Sequence, residues 1–233
     1  MARQTYTQHR LAGASVFERL KATGGPVPSL LKKPLATFKK AHAALDAVSK
    51  QVELARVKRD EALVAIGAAD TALDGNVRKL ADALVGAGIG TRIRPFATLS
   101  PLTPSAMTEL AYAKEVNAVR SLLAKIERKK NFARSSSLLQ SCSRSADAVE
   151  KALNALTRPQ AHYQKALAER DALLVDWTKA FNQLKKYAAV AWDDDGATVK
   201  VLFAAPQAIQ APKKKQARKA KPVKAPPTDP GHV

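Results

Sequence analysis

The chain has 233 residues and carries 39 Lys and Arg against 20 Asp and Glu, a formal net charge of +19. Forty-five alanines supply much of the 46% hydrophobic fraction and aromatic residues are few, a balance that favours closely packed helices over a β-sandwich. No uncharged apolar run approaches the ~20 residues needed to span a bilayer, and the single cysteine, Cys142, excludes an intramolecular disulfide framework and suits a reducing compartment.

Residues 1–33 form a basic N-terminal arm of charge +5 with a short helix over Ser15–Ala22, closed by Gly24-Gly25-Pro26-Val27-Pro28. The first ten residues lack the hydrophobic stretch of a secretory signal. They are Arg-containing and acid-free, which leaves open a frayed basic terminus, the reading the residues favour, and an organelle-transit segment.

Residues 34–205 read as a long-helix bundle. Pro34 suits a first helical turn, and Leu45, Val48, Val52, Ala55, Ala62, Ile66, Ala69, Leu73, Val77, Leu80 and Leu84 step by threes and fours to a stop at Gly86-Ala87-Gly88. Such a helix of roughly 50 residues is ~75 Å long. Asp74-Gly75-Asn76 invites a turn, but the stripe passes through it in phase, so the spacing predicts one helix. A second long helix is expected from Ser105 to about Arg134, with Tyr112, Val116, Val119, Leu123 and Ile126 on its seam. After a turn near 131–137, a third long helix carries the most regular seam of all: Val149, Leu153, Leu156, Gln160, Tyr163, Leu167, Arg170, Leu174, Trp177, Phe181, Leu184, Ala188 and Ala191. Pro159 should kink or restart it, and Asp193-Asp194-Asp195-Gly196 should end it. Trp177, Phe181, Tyr163 and Leu174 are expected to form the bulkiest core layer.

The two longest helices look alike. Ala44–Lys50 matches Ala152–Arg158, and Arg59–Val64 matches Arg170–Val175. Either the chain carries an internal duplication or two Ala-rich helices coincide. Under duplication, the β-prone stretches Thr91–Phe96 and Thr198–Phe203 would pair as a minor β-ribbon. The expected fold is therefore all-α: an elongated antiparallel bundle of three long helices. Helices that outrun a shorter partner expose apolar stripe, which implies a homo-oligomer.

Catalytic constellations are lacking, and the chain reads as non-enzymatic, with no metal, cofactor or catalytic residue expected. His9, His42, His162 and His232 occupy four separate neighbourhoods. His42 and His162 could meet across antiparallel helices, but they read as surface or seam residues. Cys142 lies among serines with no nearby histidine. Gly86–Thr91 lacks the strand before and helix after that a phosphate-binding loop requires. Asp193–Asp195 lacks the alternating ligands of a calcium loop. Pairs such as Asp60-Glu61 read as exposed ion pairs.

Residues 206–233 carry seven Lys and Arg against one Asp, interrupted by prolines, and read as a disordered Lys/Ala/Pro-rich tail. This blend resembles the tails of linker histones and of bacterial nucleoid proteins, a likeness of composition alone that implies contact with nucleic acid. Candidate nucleic-acid-binding residues are Lys213, Lys214, Lys215, Arg218, Lys219, Lys221 and Lys224 in the tail, with Lys125, Arg128, Lys129, Lys130 and Arg134 at the end of the second helix. Arg92, Arg94, Lys32, Lys33, Lys39 and Lys40 could join a basic end if helices run antiparallel. Counterion release would make such binding steeply salt-dependent. No base-reading signature occurs, so contact would be to phosphate, without sequence preference.

The leading reading is an accessory protein that binds a polyanion, DNA or RNA or another acidic macromolecule, in the cytoplasm and on the nucleoid if the partner is DNA. The alternative is a structural scaffold that self-associates through coiled-coil-like helices. Peripheral membrane attachment ranks lower because neither arm pairs charge with a Trp/Phe/Leu face; integral membrane association is excluded.

Overall fold

The computed structural model describes residues 6–128, 136–192 and 196–204. Within them lie six helices and no strand: α1 (Tyr6–Ala22), α2 (Ser29–Gly86), α3 (Pro104–Thr108), α4 (Tyr112–Glu127), α5 (Ser136–Ala191) and α6 (Gly196–Leu202). The all-α expectation therefore holds among the described residues, and none of their helices is long and apolar enough to cross a membrane.

Helices α2 and α5, of 58 and 56 residues, are each about 85 Å long at 1.5 Å per residue. They form one antiparallel hairpin. Phe38 lies against Phe181, His42 against Trp177, Arg59 against Tyr163 and Asn76 against Ser145, so each step along α2 moves its partner back along α5. Leu31, Phe38, Leu45 and Val52, then Ile66, Leu73 and Leu80, recur at multiples of seven residues and all are buried. A seven-residue spacing keeps these buried positions close to one face of α2. Alanines at alternate seam positions let the axes approach closely.

Burial concentrates at the two ends. One core joins α1, α2, α5 and α6 through Val16, Phe38, Leu45, Trp177, Leu184 and Leu202, with Phe17, Phe181, Trp192 and Phe203 packed beside it. The other joins the far end of α2 to α3, α4 and the start of α5 through Leu80, Leu84, Phe96, Met107, Leu122, Ile126 and Cys142. Between them runs a two-helix waist. Here Arg59 takes the seam position between Val52 and Ile66, its guanidinium 4.3 Å above the Tyr163 ring. Tyr163 thus stacks on a cation in the waist and is not part of the bulky core layer expected of it.

Several expectations are corrected. Two helices are long, and the third is split. Thr103 caps α3 by accepting from the Ala106 amide at 3.2 Å, and the chain is extended again at Ala111 before α4. The reason is phase: Met107 and Val116 are both buried, yet nine residues of helix, about two and a half turns, would put them on opposite faces. Tyr112 is consequently off the seam and 40% exposed.

The sequence Thr198–Phe203 lies mostly in α6 and Thr91–Phe96 is a series of turns, so these two pieces form no β-ribbon. Leu202 drops into the core and Arg19 donates to the carbonyls of Leu202 (3.3 Å) and Ala204 (2.6 Å), which favours a helix end at that place over a strand. Helix α1 starts at Tyr6 and α2 at Ser29, five residues before the predicted Pro34, because Leu31 is also a core residue. As expected, α2 runs unbroken through Gly75. Helix α5 also continues through Pro159. It begins within the Ser-rich stretch, where Ser141 and Ser145 turn their hydroxyls back to the carbonyls four residues earlier. The turn placed near 131–137 falls largely outside the described residues, as does Asp193–Asp195.

Candidate functional site

At the α1/α6 end the seam faces inward, so lysines one or two positions off it point to solvent. Lys32, Lys33, Lys39 and Lys40 of α2 are exposed, as are Lys179, Lys185 and Lys186 of α5, Lys200 of α6 and Lys21 of α1. Among the described residues, Glu18 of α1, Asp46 of α2 and Asp176 of α5 oppose them, Asp46 paired with Arg10 and Lys50 and Asp176 lying 4.0 Å from Lys179. Basic charge still dominates this end. Lys185 lines a groove of about 300 Å³ together with Trp177, Phe181, Phe203 and His9. The Arg19 bonds to Leu202 and Ala204 anchor the chain at this same end just before residues 205–233 continue.

Inside it, an aromatic stack fixes the packing. Trp177 and Phe181 are stacked at 4.9 Å between centroids, Phe38 lies edge-on to Trp177 at 5.4 Å, and Phe17 contacts both Phe38 and His42. The Trp177 indole N–H donates to Nδ1 of His42 at 3.2 Å, which requires an unprotonated Nδ1. Burial lowers the His42 pKa below its ordinary value; Asp46 opposes that shift and Arg10 adds to it. His42 is a seam histidine and does not meet His162, which lies in the waist beside Arg158 and Pro159.

Of the sequence-predicted binding residues, the structure describes two. Lys125 donates to the Leu99 carbonyl at 2.9 Å and so latches the loop before α3, and Arg128 is exposed just after α4. Both sit at the far end of the hairpin with exposed Arg92 and Arg94, so they do not join Lys32, Lys33, Lys39 and Lys40. Lys129, Lys130, Arg134, Lys213, Lys214, Lys215, Arg218, Lys219, Lys221 and Lys224 lie outside the described residues. The sequence reading missed the contribution of Lys179, Lys185, Lys186 and Lys200. Their positions off the α5 seam signalled exposure, but only the hairpin register sets them beside the α2 lysines.

A second polar feature stands at the α4 end. Asp70 and Asp74 are one turn apart on α2, and Glu115 comes from the first turn of α4; one carboxylate oxygen of each lies within 4.8 Å of the others. Glu115 is 0% exposed and both its oxygens lack a hydrogen-bond partner, as do Oδ1 of Asp70 and Oδ1 of Asp74. Burial first, then the two aspartates, push the Glu115 carboxyl up to about 8. Sequence gave no hint of this cluster, since Asp70 and Asp74 look like ordinary solvated acids and Glu115 is brought to them only by the docking of α4. Nearby, Arg120 binds Asp147 at 2.7 Å and Glu150 at 2.7 and 3.2 Å, tying α4 to α5. Cys142 is fully buried and its thiol is pushed up to about 11, so it is an inert core residue at neutral pH.

No protein-family model, curated protein or solved structure matches this chain.

Proposed function

We propose that this chain is a non-enzymatic accessory protein that binds a polyanion, DNA or RNA through phosphate and without sequence preference, and presents it on one end of a helical hairpin. The observation that carries the reading is the gathering of exposed lysines from α1, α2, α5 and α6 at the end where Ala204 leads into the cationic segment 206–233. In this reading the seven Lys and Arg of that segment and the α2 and α5 lysines act on one stretch of phosphates. Arg92, Arg94, Lys125 and Arg128, at the opposite end, form at most a separate contact. A cytoplasmic location, on the nucleoid for a DNA partner, follows from the same reading.

The test is duplex DNA binding across a salt series with the full chain, a chain ending at residue 205, and K32Q/K33Q/K39Q/K40Q. Each lost phosphate contact lowers the slope of log affinity against log salt by about 0.9. Truncation and the fourfold variant should both flatten the slope. Salt-independent binding, or slopes unchanged in both variants, would refute the proposal.

A scaffold role is the second reading, with a specific motive. Leu54, Val57, Leu63 and Val64 are 43–72% exposed on the α2 waist, where no third helix among the described residues covers the hairpin. The two long helices are nearly equal in length, 58 and 56 residues, so this apolar surface does not come from overhang. Light scattering of the chain ending at residue 205 separates the readings: oligomers that persist and fail to bind nucleic acid favour the scaffold.

A further inference from the structure

Placing a buried carboxyl beside two others costs free energy unless something compensates it. Asp70 and Asp74 present oxygens from adjacent turns of α2, and Glu115 closes the third side from α4 with both oxygens buried and unpartnered. Arg78 is the one cation paired with the cluster among the described ion pairs. It reaches Asp74 at 3.7 Å, on the other oxygen, with its own side chain 68% exposed. The inward oxygens are left facing one another.

We propose that Asp70, Asp74 and Glu115 bind a hard divalent cation, Mg²⁺, Ca²⁺ or Mn²⁺, that pins the first turn of α4 to α2. The donor set is all carboxylate, with no His or Cys, which selects oxygen-preferring ions over Zn²⁺. Two oxygens on one ion at about 2.1–2.4 Å stand no more than about 4.8 Å apart, and the three carboxylate oxygens lie within 4.8 Å of one another. Asp70 and Asp74 are partly exposed, leaving an open side through which water can complete the coordination. Glu115 sits in the first turn of α4. Docking that turn sets Val116 and Val119 into the core, so the ion would stabilise α4 packing. This site is independent of the polyanion reading and stands or falls separately.

The experiment is calorimetric titration of the metal-stripped full chain with CaCl₂, MgCl₂ and MnCl₂ in separate runs, followed by melting with and without each cation. One ion per chain is expected, with a rise in Tm of about 5–10 °C at a cation concentration one hundred times Kd. Glu115→Gln should weaken binding at least tenfold and abolish the rise. In the stripped state it should melt no lower than the parent, because an uncompensated buried carboxyl is replaced by a neutral amide of the same shape, so the loss is confined to the cation-loaded state. Asp82→Asn, an exposed acid one helical stretch away, should leave binding unchanged. Absence of binding by all three cations, or equal binding and equal melting response in Glu115→Gln, overturns the proposal and leaves carboxyls that share a proton.

Discussion

Gly13 offers the sharpest test of how α1 is seated. A Cβ at this position would lie 2.2 Å from Nδ1 and 2.5 Å from Cε1 of His42, far inside van der Waals contact. His42 has little room to retreat, since Trp177 donates to that same Nδ1 and Phe17 and Phe38 flank the ring. Gly13→Ala therefore forces overpacking, about 1–3 kcal/mol. If the ring swings away it strands the buried Trp177 N–H, a further cost of about 1–3 kcal/mol. Against this stands the better helix propensity of alanine inside α1, a gain of about 1 kcal/mol. The clash outweighs the propensity gain, and the net destabilisation is roughly 0–2 kcal/mol if the ring holds its place and roughly 1–5 kcal/mol if it swings away. Urea unfolding followed by tryptophan fluorescence reads this directly, because Trp177 and Trp192 both belong to the α1/α6 core. In a His42→Ala background the clash disappears, and Gly13→Ala should then raise stability by about 1 kcal/mol. A stabilising Gly13→Ala in the parent, or the same sign in both backgrounds, would refute the close approach of α1 and α2.

Because His42 is held below its ordinary pKa, the unfolded chain binds its proton more readily, and stability should fall as pH drops below about 6.5. His42→Asn, which keeps an acceptor for Trp177 but cannot titrate, should flatten that decline; an unchanged pH profile would contradict the neutral seam histidine faced by Asp46 and Arg10. Cys142 should resist a thiol reagent at pH 8 until the chain unfolds, and rapid labelling of the native protein would contradict its burial. Leu80→Ala should cost about 2–5 kcal/mol in the α4-end core and appear in circular dichroism as an early partial loss of helix. Tryptophan fluorescence, confined to the other end, should shift less; an equal shift in both signals would show that the two cores unfold as one.

How far the fold could be read from sequence depended on whether a residue's partner lay on its own helix. The α5 seam from Val149 to Ala191 and the passage of α2 through Gly75 were legible because hydrophobic spacing is a local property. The split of α3 from α4 was not, since it depends on Met107 and Val116 sharing a core that neither helix defines alone. Thr198–Phe203 shows the opposite failure: β-branched Thr198, Val199 and Val201 favour a strand, but Leu202 and Arg19 impose a helix through tertiary contacts. The basic end was half visible. Sequence marks Lys32, Lys33, Lys39 and Lys40 as basic, but only the direction of the hairpin separates them from Arg92, Arg94 and Lys125. The buried carboxylates were invisible, because nothing in Asp70, Asp74 or Glu115 taken singly marks them as neighbours.

The bare waist has a mechanical consequence. With two packed knobs joined by two helices among the described residues, the length of α2 and α5 sets how far apart the knobs stand. Most of the length of a helix of about 85 Å serves as that spacer. Shortening α2 and α5 together by whole heptads around Arg59 and Tyr163 would bring the knobs closer while leaving each intact, turning the spacing itself into an adjustable quantity.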